Sequence, residues 1–217
     1  MLMKTTDPAQ ASKGKRVRRT QEQRTADTRS ALFAAAVSTI DRLGFAGANN
    51  ATIADEAGVS RGAITHHFST RAEFMAEVVR WVFEQETTAF RGLMKQKNTG
   101  SRVSDWPELL WEVFSRPSGV AVLEILVASR SDPELAALVL PMQAEVERSG
   151  AENFIQRIGG QNMNMASIRM VVWAIRGMTL GQTLLPEREE MIEAVRLLSR
   201  VIDRAVPSGA FGDLAHL

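Results

Sequence analysis

Residues 44–75, GFAGANNATIADEAGVSRGAITHHFSTRAEFM, decide how the rest of the chain is read. Their middle describes two short helices joined by a tight turn. Asn49 is a good N-cap, its side-chain oxygen placed to accept from backbone N–H groups of the first turn. Ile53, Ala54 and Ala57 then give a helix of about two turns one apolar side. Gly58 follows, the residue that most easily takes the left-handed conformation ending a helix. Val59 supplies an apolar side chain inside the turn, and Ser60 can cap the next helix. That second helix, predicted from Arg61 to about His67, turns Ile64 and Phe68 toward a core. Its other side carries Arg61, Gly62, Thr65 and His66, all short or polar. A small Ala54, a turn Gly58 and an apolar Val59 are what two helices need to cross closely. The pattern is a helix-turn-helix whose second helix has the dimensions of a major-groove reader.

Composition leaves room for that reading. The chain has 217 residues, enough for one small domain and a medium one. It holds 45% hydrophobic and 24% charged residues, ordinary for a globular protein, and no cysteine, which excludes disulfides and thiolate metal sites. The start, MLMKTTDPAQ, lacks an apolar stretch of the kind a signal peptide carries. No apolar run approaches the ~18 residues of a membrane span. A cytoplasmic location without membrane partners is therefore expected. Net charge is only +1, but its distribution is uneven. Residues 1–80 hold 12 Lys/Arg against 8 Asp/Glu, whereas residues 81–217 hold 14 against 17. The first 29 residues alone carry 8 basic and 3 acidic side chains. A basic tail beside a helix-turn-helix suits phosphate binding, although a solubilising tail has the same composition.

The residues at 57–68, AGVSRGAITHHF, with Ile53-Ala54 before them and Thr70-Arg71-Ala72-Glu73-Phe74 after, resemble the tetracycline-repressor-like (TetR) transcriptional regulators. A long amphipathic helix in front, ending at Gly44-Phe45, fits the same family. The resemblance covers about residues 24–80; beyond them it is one of length and helical character. One departure stands out. The family usually carries Tyr where this chain has Thr65, and the chain contains no Tyr at all. Thr65 keeps a hydroxyl but loses the ring and its reach, which points it toward a base edge or a thymine methyl instead of a phosphate.

Taken in order, residues 1–20 read as a disordered basic tail, in which Lys13, Lys15, Arg16, Arg18 and Arg19 can follow a phosphate backbone or enter a minor groove. From about Gln23 to Leu43, Leu32, Phe33, Ala36, Ile40 and Leu43 recur at helical spacing. The N-terminal end of that helix offers Arg24, Thr25 and Thr28 to a phosphate or simply to solvent. Thr70 and Glu73 form a capping box for a helix with Phe74, Val78, Trp81 and Val82 on one side, running to about Lys95. Arg71 at its start is a further candidate phosphate contact. After a polar loop at 96–105, five more helices are predicted: Trp106 to Phe114; Ser118 to Arg130; Pro133 towards Ile158, with a kink near Pro141; Met165 to Leu185; and Glu187 to Val206.

Functional candidates follow from this layout. DNA contact is assigned to Arg24, Thr25, Ser60, Arg61, Gly62, Thr65, His66, His67 and Arg71. Bulky groups of the C-terminal part, Trp106, Trp111, Phe114, Met142, Phe154, Met170 and Trp173, can line an apolar pocket or simply fill a core. The family resemblance makes a pocket the expectation, with a small, largely apolar ligand. Ala174, Gly177, Met178 and Gly181 on one helix, with Met191, Val195, Leu198 and Ile202 on the other, can pair with their copies in a second chain as a four-helix bundle or close this chain's own core. The resemblance favours the homodimer.

Other chemistries lack their residues. No GxGxxG or GxxxxGK[ST] loop is present. The histidines are His66, His67 and His216, too scattered for a metal site. Ser60 and Ser69 beside His66 and His67 suggest a nucleophile and base less economically than a cap and phosphate contacts. The reading is an all-α chain with no cofactor: tail 1–20, helix-turn-helix domain 21–70, helical ligand-binding and dimerisation domain 71–206 and tail 207–217, about nine helices in all. Its function is that of a ligand-responsive repressor, not an enzyme, acting as a homodimer on a palindromic double-stranded operator. A TetR-like architectural or cell-cycle protein without an inducer, or a helical protein-interaction module, remain the alternatives.

Overall fold

The structure of the chain, a computed structural model, describes residues 20–158, 165–185, 187–210 and 213, apart from the side chains of residues 151 and 153–158. The basic tail expected from the sequence lies outside the described residues. Those that are described form nine α-helices and no strand.

Helix α1 (Gln21–Gly47) starts at a capping box in which the Thr20 hydroxyl accepts from Gln23 N and the Gln23 side chain accepts from Thr20 N. Gly44, at φ 72°, breaks its regular dihedrals and turns the chain into a corner. Asn49 Oδ1 accepts from Ala51 N and Thr52 N, both at 3.0 Å, and opens α2 (Asn50–Glu56). Gly58, at φ 66°, makes the turn, and Val59 packs against the core on the way to α3 (Gly62–His67). Helix α3 has no side-chain cap. With Arg61 already helical at φ −55°, the first bond runs from Ala63 N to the Ser60 carbonyl, not to its hydroxyl.

The Thr70 hydroxyl accepts from Glu73 N, while the Glu73 carboxylate reaches back to Ser69 N. Together they start α4 (Arg71–Lys97), 27 residues or about 40 Å of rod. Asn98 ends it in the left-handed conformation. Then follow α5 (Trp106–Phe114), α6 (Pro117–Ala128), α7 (Pro133–Ile158), α8 (Met165–Leu184) and α9 (Arg188–Ala205). Pro117 and Pro133 open their helices at the position where a missing N–H costs nothing, and α7 runs through Pro141 as one helix.

Two apolar clusters hold the chain together. The first joins α1–α4 to Ala121, Val122, Ile125 and Leu126 of α6 and Leu135 and Val139 of α7. Leu32, Ile40, Ile53, Phe74 and Ile125 in it are fully buried. Helices α1, α2 and α3 therefore rest on helices from the region 71–206, with α1 lying along α6. The second cluster joins α5, α8 and α9 through Leu110, Val113, Ile168, Val171, Ile175, Val195 and Ile202. Helix α4 serves both: Phe74 to Phe83 belong to the first, while Ala89, Phe90 and Leu93 pack on the second. Among the described residues, no helix is long and apolar enough to cross a membrane.

Candidate nucleic-acid interface and ligand cavity

Helix α3 is anchored by Ile64, which is 1% exposed, and by Phe68 just beyond it. Phe68 packs its ring at a tilt against Phe33 and Phe74 and carries the Arg29 guanidinium 4.7 Å from its ring centroid. Arg29 is held in turn by Glu77 at 3.0 Å. With one side fixed, the other leaves Ser60, Arg61, Gly62, Thr65 and His66 exposed and His67 half-buried. Arg61 has only a loose ion pair with Asp55 at 3.9 Å, and its side chain is 75% exposed. The Thr65 hydroxyl donates to the Gly62 carbonyl at 3.1 Å. Burial first, then the charges of His66 and Arg29, hold His67 below its ordinary pKa and favour the neutral ring. A phosphate beside it would act in the opposite direction. Of the α1 candidates, Arg24 is exposed and Thr25 and Thr28 are half-buried, the Thr28 hydroxyl donating to the Arg24 carbonyl.

Arg71 does something the sequence did not announce. Its Nη1 donates to the Ala48 carbonyl at 2.9 Å and its Nη2 to the Phe45 carbonyl at 3.2 Å, with Asn50 Oδ1 at 3.4 Å. Its guanidinium also stands 5.0 Å from the Phe45 ring. From the other side, Glu124 of α6 accepts from Phe45 N at 2.6 Å. The corner between α1 and α2 is thus gripped by a cation from α4 and an anion from α6. Inward-turned arginine is invisible to a pattern search, because its polarity and spacing match those of a surface contact.

A cavity of about 280 Å³ opens where the two apolar clusters meet, between α4, α5, α7 and α8. Trp106 and Phe114 line it, joined by Phe83, Phe90, Leu110 and Val172. The other pocket candidates fall elsewhere. Trp111 is buried in the second cluster and Met142 packs against the first. Met170 and Trp173 are 51% and 41% exposed on α8, and the Phe154 side chain lies outside the described residues. Bulk and apolarity are common to core, cavity and interface, so residue type alone could not sort them.

The cavity also holds polar groups that sequence reasoning missed: Glu86 of α4, Gln143 of α7 and Arg176 of α8. They are 7%, 8% and 3% exposed. Arg176 lies over the Phe114 ring at 4.3 Å, and its Nε and Nη1 lack hydrogen-bond partners, as do Glu86 Oε1 and Gln143 Oε1. Burial raises the Glu86 pKa from 4.5 to about 7 against the opposing pull of Arg176 and Arg116. Arg176 was legible as a lone charge within the otherwise apolar run MVVWAIRGM of α8.

On α8 and α9 the interface candidates divide. Val195 and Ile202 are 1% and 2% exposed inside this chain's own second cluster, with Met178, Met191 and Leu198 packed against it. Ala174 and Gly181 are half-buried, and Gly177 is exposed. The strongest apolar stripe of α9 closes the chain's own core, and a second stripe faces outward: Met170, Trp173, Leu180 and Leu184 on α8 with Leu197 and Val201 on α9. Among the described residues no group of three or more His, Asp or Glu could hold a metal ion.

Residues 32–78 match the bacterial regulatory proteins of the tetR family. The chain is 29% identical over 187 residues to the HTH-type transcriptional regulator CymR of Pseudomonas putida, spanning 82% of this chain and 90% of that protein. A transcriptional regulator from Rhodococcus sp. Rha1 shares its fold at a TM-score of 0.62 and 19% identity, over 81% of this chain and 96% of that one. The multidrug binding protein EbrR, solved in complex with imidazole, superimposes at a TM-score of 0.53 and 25% identity, over 80% and 94% of the two chains.

Proposed function

Because the chain belongs to the TetR family of DNA-binding, helix-turn-helix transcriptional regulators, we propose that it is a repressor that binds a palindromic operator as a homodimer and leaves it when a small molecule enters the cavity between α4, α5, α7 and α8. The observation carrying this reading is the pairing of an exposed α3, led by Arg61, with a mostly apolar cavity in a single framework. Residues 21–70 act as the DNA-binding domain and residues 71–206 as the ligand-binding and dimerisation domain. A regulator of bacterial promoters works in the cytoplasm.

In the complex, Arg61 and Thr65 face base edges from the first turns of α3, and Gly62 lets the backbone approach closely. Ser60, His66, His67, Arg24 and Thr25 meet phosphates, joined by the basic residues of the N-terminal tail. Arg71 contributes by holding the α1–α2 corner, which sets where α3 stands. The outward stripe of α8 and α9 supports pairing with a second copy, since exposed Met170, Trp173, Leu184 and Leu197 form the kind of apolar surface that a partner chain covers. Two reading helices then sit about one DNA turn apart, ~34–36 Å.

Ligand control needs a route from cavity to corner. Helix α4 carries Glu86 in the cavity and Arg71 at the corner, and α6, which carries Glu124, follows directly after Phe114 and the turn that joins it to α5. A ligand that favours an arrangement of α4 and α6 poorly matched to DNA would release the operator. EbrR, a multidrug binding protein solved in complex with imidazole, offers a parallel for this reading. The cavity's apolar lining calls for a ligand with a largely apolar body.

Selection of duplexes from a random DNA pool, with purified full-length protein at moderate salt, tests the proposal. Enrichment of an inverted repeat is expected. Enrichment of a single, asymmetric half-site would refute the homodimer, and no enrichment would refute sequence-specific binding by the free protein.

A further inference from the structure

On the reading that this cavity is the effector site, we propose that the effector is a compact organic acid: a hydrophobic body that fills the aromatic lining and one carboxylate that is held by Arg176.

Three observations converge on it. The first is the state of Arg176. It is 3% exposed, lines the cavity, and has no hydrogen-bond partner for Nε or Nη1, donors from which a carboxylate can accept. No carboxylate lies within 4 Å of it to form an ion pair among the described residues. The two acidic groups at the cavity's α7 wall have partners of their own. Glu145 pairs with Arg148, and Glu147 pairs with Arg169 while accepting from Trp173 and Gln143.

The second is the asymmetry of charge between the two buried ionisable groups. An arginine stays protonated at every physiological pH. Glu86 can discharge by taking up a proton, and its displaced pKa of about 7 shows the burial cost it carries as an anion. The permanent unpaired charge of the cavity is therefore positive. A cationic ligand would add a second positive charge beside Arg176, with Glu86 and the already paired Glu147 to offset both. An anionic one pairs Arg176 and lets a protonated Glu86 donate a hydrogen bond to its second oxygen.

The third is shape and lining. At about 280 Å³ the cavity sits near the small end of ligand sites, roughly 300–1,000 Å³. Phe90, Trp106, Phe114 and Val172 surround the rest of the ligand with hydrocarbon. A small acid with an aryl or cycloalkyl body satisfies these features together; a polyanion or a long chain does not.

The test is calorimetric titration of full-length protein with matched sets on one body: phenylacetate, phenylacetamide and phenethylamine; cyclohexanecarboxylate, its amide and cyclohexylmethylamine; hexanoate, hexanamide and hexylamine. In at least one set the acid is expected to bind tenfold or more tighter than its amide, with the amine weakest. Arg176→Gln should bring acid and amide within threefold of each other. An amide or amine that matches its acid in every set that binds, or an acid preference that survives Arg176→Gln, overturns the proposal, as does no binding by any probe at millimolar concentration.

Because Arg176 is buried, Glu86→Gln supplies an independent readout. Acid binding above pH 7 should take up about one proton in the wild type and none in this variant, as measured in buffers of different ionisation enthalpy. The charges around Glu86 that could share that proton's effect are Arg176 on α8, Arg116 after α5, Glu145 and Glu147 on α7 and Arg91 on α4. Equal proton uptake in both proteins would remove Glu86 from the account. Operator affinity, read in the same samples, separates the two claims. Acids that bind without weakening DNA affinity would sink the effector reading and leave the acid site standing. Amides or amines that release DNA as well as acids do would have the reverse consequence.

Discussion

Replacing Arg71 by Ala distinguishes a strut from a phosphate contact. The substitution removes a charge-assisted bond of 2.9 Å to the Ala48 carbonyl and a second of 3.2 Å to the Phe45 carbonyl, and it uncovers the Phe45 ring. Bonds to charged groups contribute ~1.5–3 kcal/mol when fully formed. Arg71 is half-buried, so we count the shorter bond at about 2 kcal/mol and the longer at about 1. The ring contact adds about 0.5 kcal/mol. The expected loss is about 3.5 kcal/mol, a fall in Tm of roughly 7–14 °C for a chain of this length. Differential scanning calorimetry at fixed protomer concentration measures it, since mass action moves the Tm of any oligomer. Arg71→Lys keeps the charge but loses the planar fork, and should recover less than half the loss. The reasoning fails if Arg71→Ala leaves Tm within 1–2 °C of wild type yet abolishes operator binding, for the guanidinium would then act on DNA and not on the corner.

The remaining expectations concern other parts of the molecule. Glu86 has its folded pKa raised from 4.5 to about 7, so its contribution to stability is fully present below pH 4.5 and is lost as pH rises through 7. Relative to Glu86→Gln, unliganded wild type should lose on the order of 3 kcal/mol between pH 4.5 and 8 in denaturant titrations, and a flat difference would contradict the assignment. Gly119 has no room for a methyl group: a Cβ there would lie 2.2 Å from the Phe114 carbonyl oxygen, so Gly119→Ala should cost ~1–3 kcal/mol and disturb acid binding through Phe114. Leu184→Glu combined with Leu197→Glu should turn the proposed dimer into folded monomers in sedimentation experiments, whereas a dimer that persists would move the interface elsewhere.

The parts of the fold that sequence made legible are those with local causes. Asn49, Gly58, Thr70 with Glu73, Pro117 and Pro133 each act on the backbone within a turn of themselves, and each marks a boundary close to where it was expected. The helix-turn-helix was readable for the same reason. What stayed hidden depends on three-dimensional neighbours. Val195 and Leu197 are both apolar and only two positions apart, yet one is buried in the second cluster and the other is 53% exposed. Arg61 and Arg71 are both cations near a helix start, but only Arg71 meets carbonyls from another helix's end. The cavity candidates were sought among large apolar groups, whereas the informative residues were the polar ones that burial leaves without partners, Glu86, Gln143 and Arg176.

The most direct test of the claim that α3 reads the operator is to repeat the duplex selection with Arg61→Ala and Thr65→Ala proteins of unchanged Tm. Base preference should relax or change at symmetric positions of the inverted repeat while its half-site spacing stays the same. Variants that enrich the wild-type motif unchanged would contradict base reading by these residues and leave α3 only a phosphate-binding role.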